Sequence, residues 1–274
     1  MVPPSSSDRV CSGRVLKLLF APTPGKPIAR AAQVVSWCLV ALLAAAVFSF
    51  SFSQLLYGWN WAAIWQYRQK FLQGWLMTLA ISAASLLVSL LIGVLAALAR
   101  RSAFLPLRYA ASLYVEAIRG TPLLVQILIL FYVVANAFGV DDRYVVGVLA
   151  LSLFAGAYLS EMIRAGIESI RDSQLESARA IGLTPVQTYR YVIFPQVVRQ
   201  LIPPLTGQFA SIIKDSSLLS IIAVSEFTLN AQEVNAFTYS TLESYLPLAV
   251  GYLLLTLPIS LISRALERRF HFAT

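Results

Sequence analysis

The stretch SIRDSQLESARAIGLTPVQTYRYVIFP, residues 169–195, is too regular for a plain linker. Asp172 or Ser173 can cap a helix, with Glu176 following within one turn. Leu175, Ala178, Arg179 and Ile181 lay out a short amphipathic face. Gly182 stands where that helix ends, in the left-handed conformation that glycine adopts at least cost. Thr184-Pro185 then opens a second helix with proline at its first position. That helix carries Val186, Tyr189, Val192 and Ile193 until Pro195 stops it. The expectation is two short helices around a glycine turn. Caps of this kind are common, so a connector without a partner fits the helix signals as well.

On both sides of this stretch the chain is apolar. Of its 274 residues 58% are hydrophobic and 12% charged, and the mean hydropathy is +0.72. A soluble domain is about one quarter charged, so a water-soluble fold is excluded, and disorder is excluded by the same apolar excess. Two cysteines, Cys11 in a basic tail and Cys38 in an apolar run, make no disulfide scaffold. The runs are long and continuous, unlike the alternating strands of a membrane barrel. A spanning helix needs about 20 apolar residues. Six stretches qualify, 31–56, 74–99, 105–137, 145–166, 197–224 and 245–263, and they predict an all-α polytopic transmembrane helical bundle. Pro122 breaks the third, and Pro203-Pro204 predict a kinked or partly unwound start to the fifth. The first could be a signal peptide. Its polar lead and apolar run are both longer than that pattern, so a retained anchor helix is expected.

The net charge of +8 would suggest nucleic acid in a soluble protein. Here it reads as topology. Of 21 Lys and Arg residues, 17 fall in the N-terminal tail, the C-terminal tail and the alternate segments between spans, against three in the remaining loops, with Lys214 inside a span. That asymmetry places both termini and the 169–196 loop in the cytoplasm. The lipid bilayer is the expected partner, and no nucleic acid is. The opposite loops carry Asp141, Asp142, Glu226, Glu233 and Glu243, and the loop 225–244 has no Lys or Arg. Tyr57, Trp59, Trp61, Trp65, Tyr67 and Trp75 cluster where an outer aromatic belt belongs.

The 169–195 stretch resembles the EAA loop of importer-type ABC transporter permeases. That pattern is Glu-Ala-Ala, three residues, Gly, nine residues, Ile, any residue, Leu, Pro. This chain has Glu176-Ser177-Ala178, Gly182, then Val192-Ile193-Phe194-Pro195 at the same spacing. Ser177, Val192 and Phe194 depart from it conservatively. Further segments resemble the polar amino-acid uptake subfamily: Arg119-Gly120-Thr121-Pro122 with Gln126, Ala157-Tyr158 with Glu161, Arg164 and Gly166, Lys214-Asp215-Ser216-Ser217-Leu218, and Leu229 to Gln232-Glu233.

The resemblance covers about 70–268. It implies a type I importer permease domain there, with five core spans and the coupling loop at 169–196, preceded by a basic cytoplasmic tail at 1–30 and an extra N-terminal transmembrane helix at 31–56. It implies that Glu176, Ala178, Gly182, Leu183 and Pro195 couple the chain to an ATPase. It further implies a multi-pass subunit of the bacterial inner membrane that works by alternating access. Its partners would be a cytoplasmic ABC ATPase dimer, a second permease subunit, same or paralogous, and an extracytoplasmic substrate-binding protein. No cofactor is implied in this chain, with ATP and magnesium on the ATPase subunits. The rivals are a secondary transporter or channel without an ATPase, and a non-transporting membrane anchor.

Polar residues inside the apolar stretches are costly, at about 2.5–3.5 kcal/mol for a charge at mid-membrane. Gln208, Ser211 and Asp215 share one helical face and Lys214 borders it, a stripe suited to line a substrate pathway. A structural ion pair or a helix break accounts for Lys214 and Asp215 equally well. Glu161 can pair with Arg164, and Glu168 can reach Arg164, as a local helix-end network. Alternatively Glu161 helps to hold an amino-acid ammonium group. Glu116 and Arg119 have the spacing of a simple pair. His271 is the only histidine, and no Cys/His/Asp cluster has metal spacing. Gly25-Lys26 lacks the rest of a phosphate loop, and no Gly-x-Ser-x-Gly occurs. No catalytic residue is expected, and no ATP hydrolysis by this chain.

Overall fold

A computed structural model describes residues 30–53 and 58–270. The tail up to residue 29, Tyr57 of the aromatic cluster and His271 lie outside them. The chain forms two units, Met1–Gly58 and Trp59–Thr274. The first contains helix α1 (Arg30–Ser53), 24 residues and so roughly 36 Å long. Trp37, Val40, Leu43, Val47 and Phe50 are exposed along it, the surface of a helix made for lipid.

The second unit is a helical bundle, with no strand among the described residues. The short α2 (Trp61–Gln66) leads into α3 (Arg68–Ala99). Helices α4 (Leu105–Arg119) and α5 (Leu123–Ile129, extended by a π turn to Ala135) meet at 115° across Pro122. Pro122 lacks the N–H that a continuous helix needs there. Then come α6 (Arg143–Glu168), α7 (Asp172–Ala180) and α8 (Pro185–Thr188). A π turn, Tyr189–Ile193, carries α8 into α9 (Phe194–Asp215), which tightens into a 3-10 turn, Ser216–Ile222. Helices α10 (Phe227–Thr238) and α11 (Thr241–Phe270) follow.

Among the described residues, α1, α3, α6 and α11 are long and apolar enough to cross a membrane, and the bent pair α4–α5 makes up to five. The fifth expected span, 197–224, is not among them. Its helix carries Arg199, Gln200, Gln208, Lys214 and Asp215, and it ends as an α-helix at Asp215.

The most extensive helix pair is α3 with α6. Gly74, Thr78, Ser82, Ser85, Ser89, Gly93 and Ala96 recur every three or four residues along α3, and all are buried. Leu72, Leu76, Leu87, Leu91, Leu95 and Leu98 are exposed. This reverses a soluble helix. Lipid is as apolar as leucine, so close approach of small residues is what draws helices together. The buried hydroxyls find carbonyls: Ser82 Oγ donates to Thr78 O at 2.7 Å and Ser152 Oγ to Val148 O at 2.6 Å. Ile81, Ile127, Leu151, Ala155, Ile212 and Leu219 form the main core, and Phe71, Phe227, Ala231 and Val234 a second one.

Four expectations are corrected. Helix α9 runs unbroken through Pro203-Pro204. The Pro203 carbonyl takes hydrogen bonds from Thr206 Oγ1 at 2.6 Å and Ser263 Oγ of α11 at 3.2 Å, so its neighbours hold the helix together. Pro195 does not end the second helix. It sits in the first turn of α9, where no N–H is required, and the π turn makes the join. Neither Asp172 nor Ser173 caps α7, because Arg171 takes the cap position and Asp172 is already helical. The 225–244 loop contains α10, capped by Glu226.

Candidate functional site

The α7–α8 hairpin is built by its turn. Gly182 has φ +80. Its N–H donates to Arg179 O at 2.9 Å, and Leu183 N–H to Ala178 O at 3.1 Å. That pair of bonds is a Schellman motif, which needs the left-handed residue where glycine stands. Thr184 and Gln187 form a reciprocal capping box at the start of α8. Gln196 Nε2 of α9 donates to Gln174 Oε1 of α7 at 3.0 Å, closing the hairpin.

Ala178 is buried and Leu183 half-buried. With Ser173, Ser177, Val192 and Gln196 they line an open hollow of about 370 Å³. Glu176 and Pro195 are exposed and not part of that hollow. Ile181 and Val186 flank the glycine turn at 77% and 76% exposure. Both are aliphatic side chains that this chain leaves uncovered.

Glu161 lies where three helices meet. It takes Arg100 Nη1, from the turn that ends α3, at 2.8 Å and Arg119 Nη1 of α4 at 3.6 Å, and it pairs with Arg164 of its own helix. Arg164 also pairs with Glu168. The expected local network is present, with two arginines added that sequence spacing does not reveal. The expected Glu116–Arg119 pair does not form. The Arg119 guanidinium lies instead 5.6 Å from the Tyr158 ring centre and reaches Glu161. Three guanidiniums on one carboxylate leave an excess of positive charge there.

On α9, Gln208 is buried, Ser211 and Asp215 are half-buried and Lys214 is exposed. None of the four bonds to Glu161, and neither Lys214 nor Asp215 forms an ion pair among the described residues. Both stand where the α-helix tightens into the 3-10 turn.

At the opposite end of α3 is an open groove of about 820 Å³ whose lining includes Gln66, Gln69, Lys70, Gln73, Tyr144 and Glu233. Lys70 of α3 pairs with Glu233 of α10, and Asn230 Nδ2 donates to Lys70 O at 2.9 Å. Tyr67 of the aromatic cluster and Asn230 and Glu233 of the 229–233 segment also meet in this groove, although they come from distant parts of the chain.

The profile of a family described as binding-protein-dependent transport system inner membrane component matches residues 89–272. The glutamine transport system permease protein GlnP of Escherichia coli (strain K12) is 38% identical over 213 residues, 77% of this chain and 97% of that protein. The L-cystine transport system permease protein TcyB of Bacillus subtilis (strain 168) is 43% identical over 194 residues, 70% of this chain and 82% of that protein. A crystal structure of an amino acid ABC transporter with histidines superposes with a TM-score of 0.73 at 34% identity, covering 78% of this chain and 100% of that one.

Proposed function

This chain belongs to the family of binding-protein-dependent transport system inner membrane components, and from that premise we propose that it is the permease subunit of an ATP-driven importer of a polar amino acid. The observation that carries the proposal is the α7–α8 hairpin. It is a turn capped on both sides that presents Ile181 and Val186 beside an open hollow. Its relatives transport glutamine and cystine by name, which supports a polar amino acid as cargo.

In this reading the hairpin docks on a cytoplasmic ATPase dimer, with Glu176, Ala178, Gly182, Leu183 and Pro195 as the coupling residues. ATP and magnesium bind the ATPase, and this chain contributes no cofactor. ATP binds the two states of the ATPase unequally, and that difference drives the conversion between inward- and outward-open bundles. A second permease completes the pathway, and an extracytoplasmic binding protein delivers cargo. Gln208, Ser211, Lys214, Asp215 and Glu161 belong to the substrate path. Both termini are cytoplasmic, in the inner membrane.

Gly182→Arg tests the coupling. A side chain at Gly182 meets nothing within 4 Å, so the substitution places bulk and charge on the docking face. Its φ of +80 also strains the turn. Membrane insertion should persist while the ATPase no longer co-purifies. Ile181→Asp, which leaves the glycine turn in place, should have the same effect. If both variants retain the ATPase at wild-type stoichiometry, the hairpin is not the coupling element.

A further inference from the structure

A second concave site lies at the 99–101 end of α3, beside the start of α4 and the last turns of α6. It is a cavity of about 400 Å³ whose lining includes Arg100, Arg101, Arg108, Ser112, Arg164 and Glu168. Four guanidiniums and the Glu168 carboxylate line it, and Glu161 pairs with two of the four. Arg100 is held by Glu161, and Arg164 by Glu161 and Glu168. The side chains of Arg101 and Arg108 have no hydrogen-bond or ion-pair partner among the described residues. Arg101 and Arg108 are exposed, so their unused donors are open to an anion, and guanidinium forks match phosphate oxygens.

We propose that this cavity binds the phosphodiester headgroup of an anionic phospholipid. The argument for a lipid over a free phosphate is the surface that leads into it. Leu91, Leu95 and Leu98 are exposed at helical spacing along α3, the last of them three residues before Arg101, and Leu113 is exposed five residues beyond Arg108 on α4. An acyl chain can lie on that apolar track while its phosphate sits among the arginines. The argument against the ATPase as occupant is that no lining residue comes from α7 or α8. The proposal takes from the proposed function only that this end of the bundle meets a membrane surface. Its test uses neither cargo nor ATP, so it stands or falls separately.

The test is native mass spectrometry of the full transporter complex in detergent, titrated with phosphatidylglycerol, phosphatidylcholine or inorganic phosphate. Wild type should retain phosphatidylglycerol and not phosphatidylcholine. Each arginine at a membrane surface contributes about a factor of five. The double variant Arg101→Gln, Arg108→Gln should therefore weaken phosphatidylglycerol binding about thirtyfold, and Arg108→Gln alone about fivefold. Arg101→Lys with Arg108→Lys keeps the charge and should retain most of the binding, which separates a lost site from a lost fold. Arg264→Gln, outside the cavity, should bind as wild type does. Unchanged phosphatidylglycerol binding in the glutamine variants overturns the proposal. So does displacement of the lipid by inorganic phosphate at equal concentration, which would mark a free-anion site. Loss of the ATPase with lipid binding intact would assign the arginines to docking and overturn it as well.

Discussion

Glu226 is fully buried and has no cationic partner among the described residues. What keeps it there is backbone. Its carboxylate accepts Thr228 N–H and Leu229 N–H, both at 2.8 Å, and the Tyr252 hydroxyl at 3.0 Å. Two of the free donors at the start of α10 are thus satisfied by one side chain. Glu226→Ala removes that cap and one partner of Tyr252. It should cost about 2–3 kcal/mol, read as a fall in the thermal midpoint of the purified complex. Glu226→Gln keeps an acceptor and should lose about 1 kcal/mol. Equal midpoints for Glu226→Ala and wild type would refute the capping role. In the sequence Glu226 stands among the external loop acids, where an isolated glutamate looks the same as a cap or as a solvated charge. Local pairs are different: Glu161–Arg164–Glu168 was readable because helical spacing alone brings those groups together, whereas Arg100 reaches Glu161 from 61 residues away.

The α7–α8 hairpin shows which signals carry over to a whole element. Gly182 and Thr184-Pro185 were legible because each answers one conformational demand, a positive φ and a preset first helical turn. The end at Pro195 was not, because the π turn that absorbs it is a matter of hydrogen-bond register. Helix α10 escaped for a related reason. It ends at Tyr239 in the left-handed conformation, with φ 53, where the usual glycine marker is missing. Helix α8 has only four residues, so its cap is a large share of what holds it. Thr184 Oγ1 accepts Gln187 N–H at 3.3 Å, and Gln187 Oε1 accepts Thr184 N–H at 2.8 Å. Thr184→Val should destabilise the hairpin by about 1 kcal/mol. Hydrogen exchange at the amides of Val186–Tyr189 should then rise about fivefold. Unchanged exchange there would mean that α8 is held by packing alone.

The bundle as a whole turns on a pattern that hydrophobicity cannot see. Apolar length located the spans and the break at Pro122, but it could not say which face of a span turns inward. In α3 the inward face is mostly Gly, Ala, Ser and Thr, with Phe71 and Ile81 among them, and so less apolar than the leucines exposed on the other side. Helix α9 departs from the expected 197–224 span in the opposite sense: it is mixed in polarity, and a helix packed against α6 and α11 need not be apolar throughout. If close approach holds the bundle, volume and not polarity should be the sensitive variable along the α3–α6 seam. A Cβ at Gly93 would lie 2.6 Å from Leu159 Cβ and 3.1 Å from the Gly156 carbonyl oxygen, so the α6 backbone itself would have to move. Gly93→Leu should therefore cost at least about 1–3 kcal/mol and shift the complex toward aggregated material in size-exclusion chromatography. Gly207→Leu makes the same chemical change where nothing lies within 4 Å, and it should be tolerated. Gly93→Ser, polar but small, should fall between them and nearer to wild type. Were Gly93→Leu as stable as Gly207→Leu, the seam would not be the element that organises the bundle, and the core around Ile127, Leu151 and Ile212 would take that place.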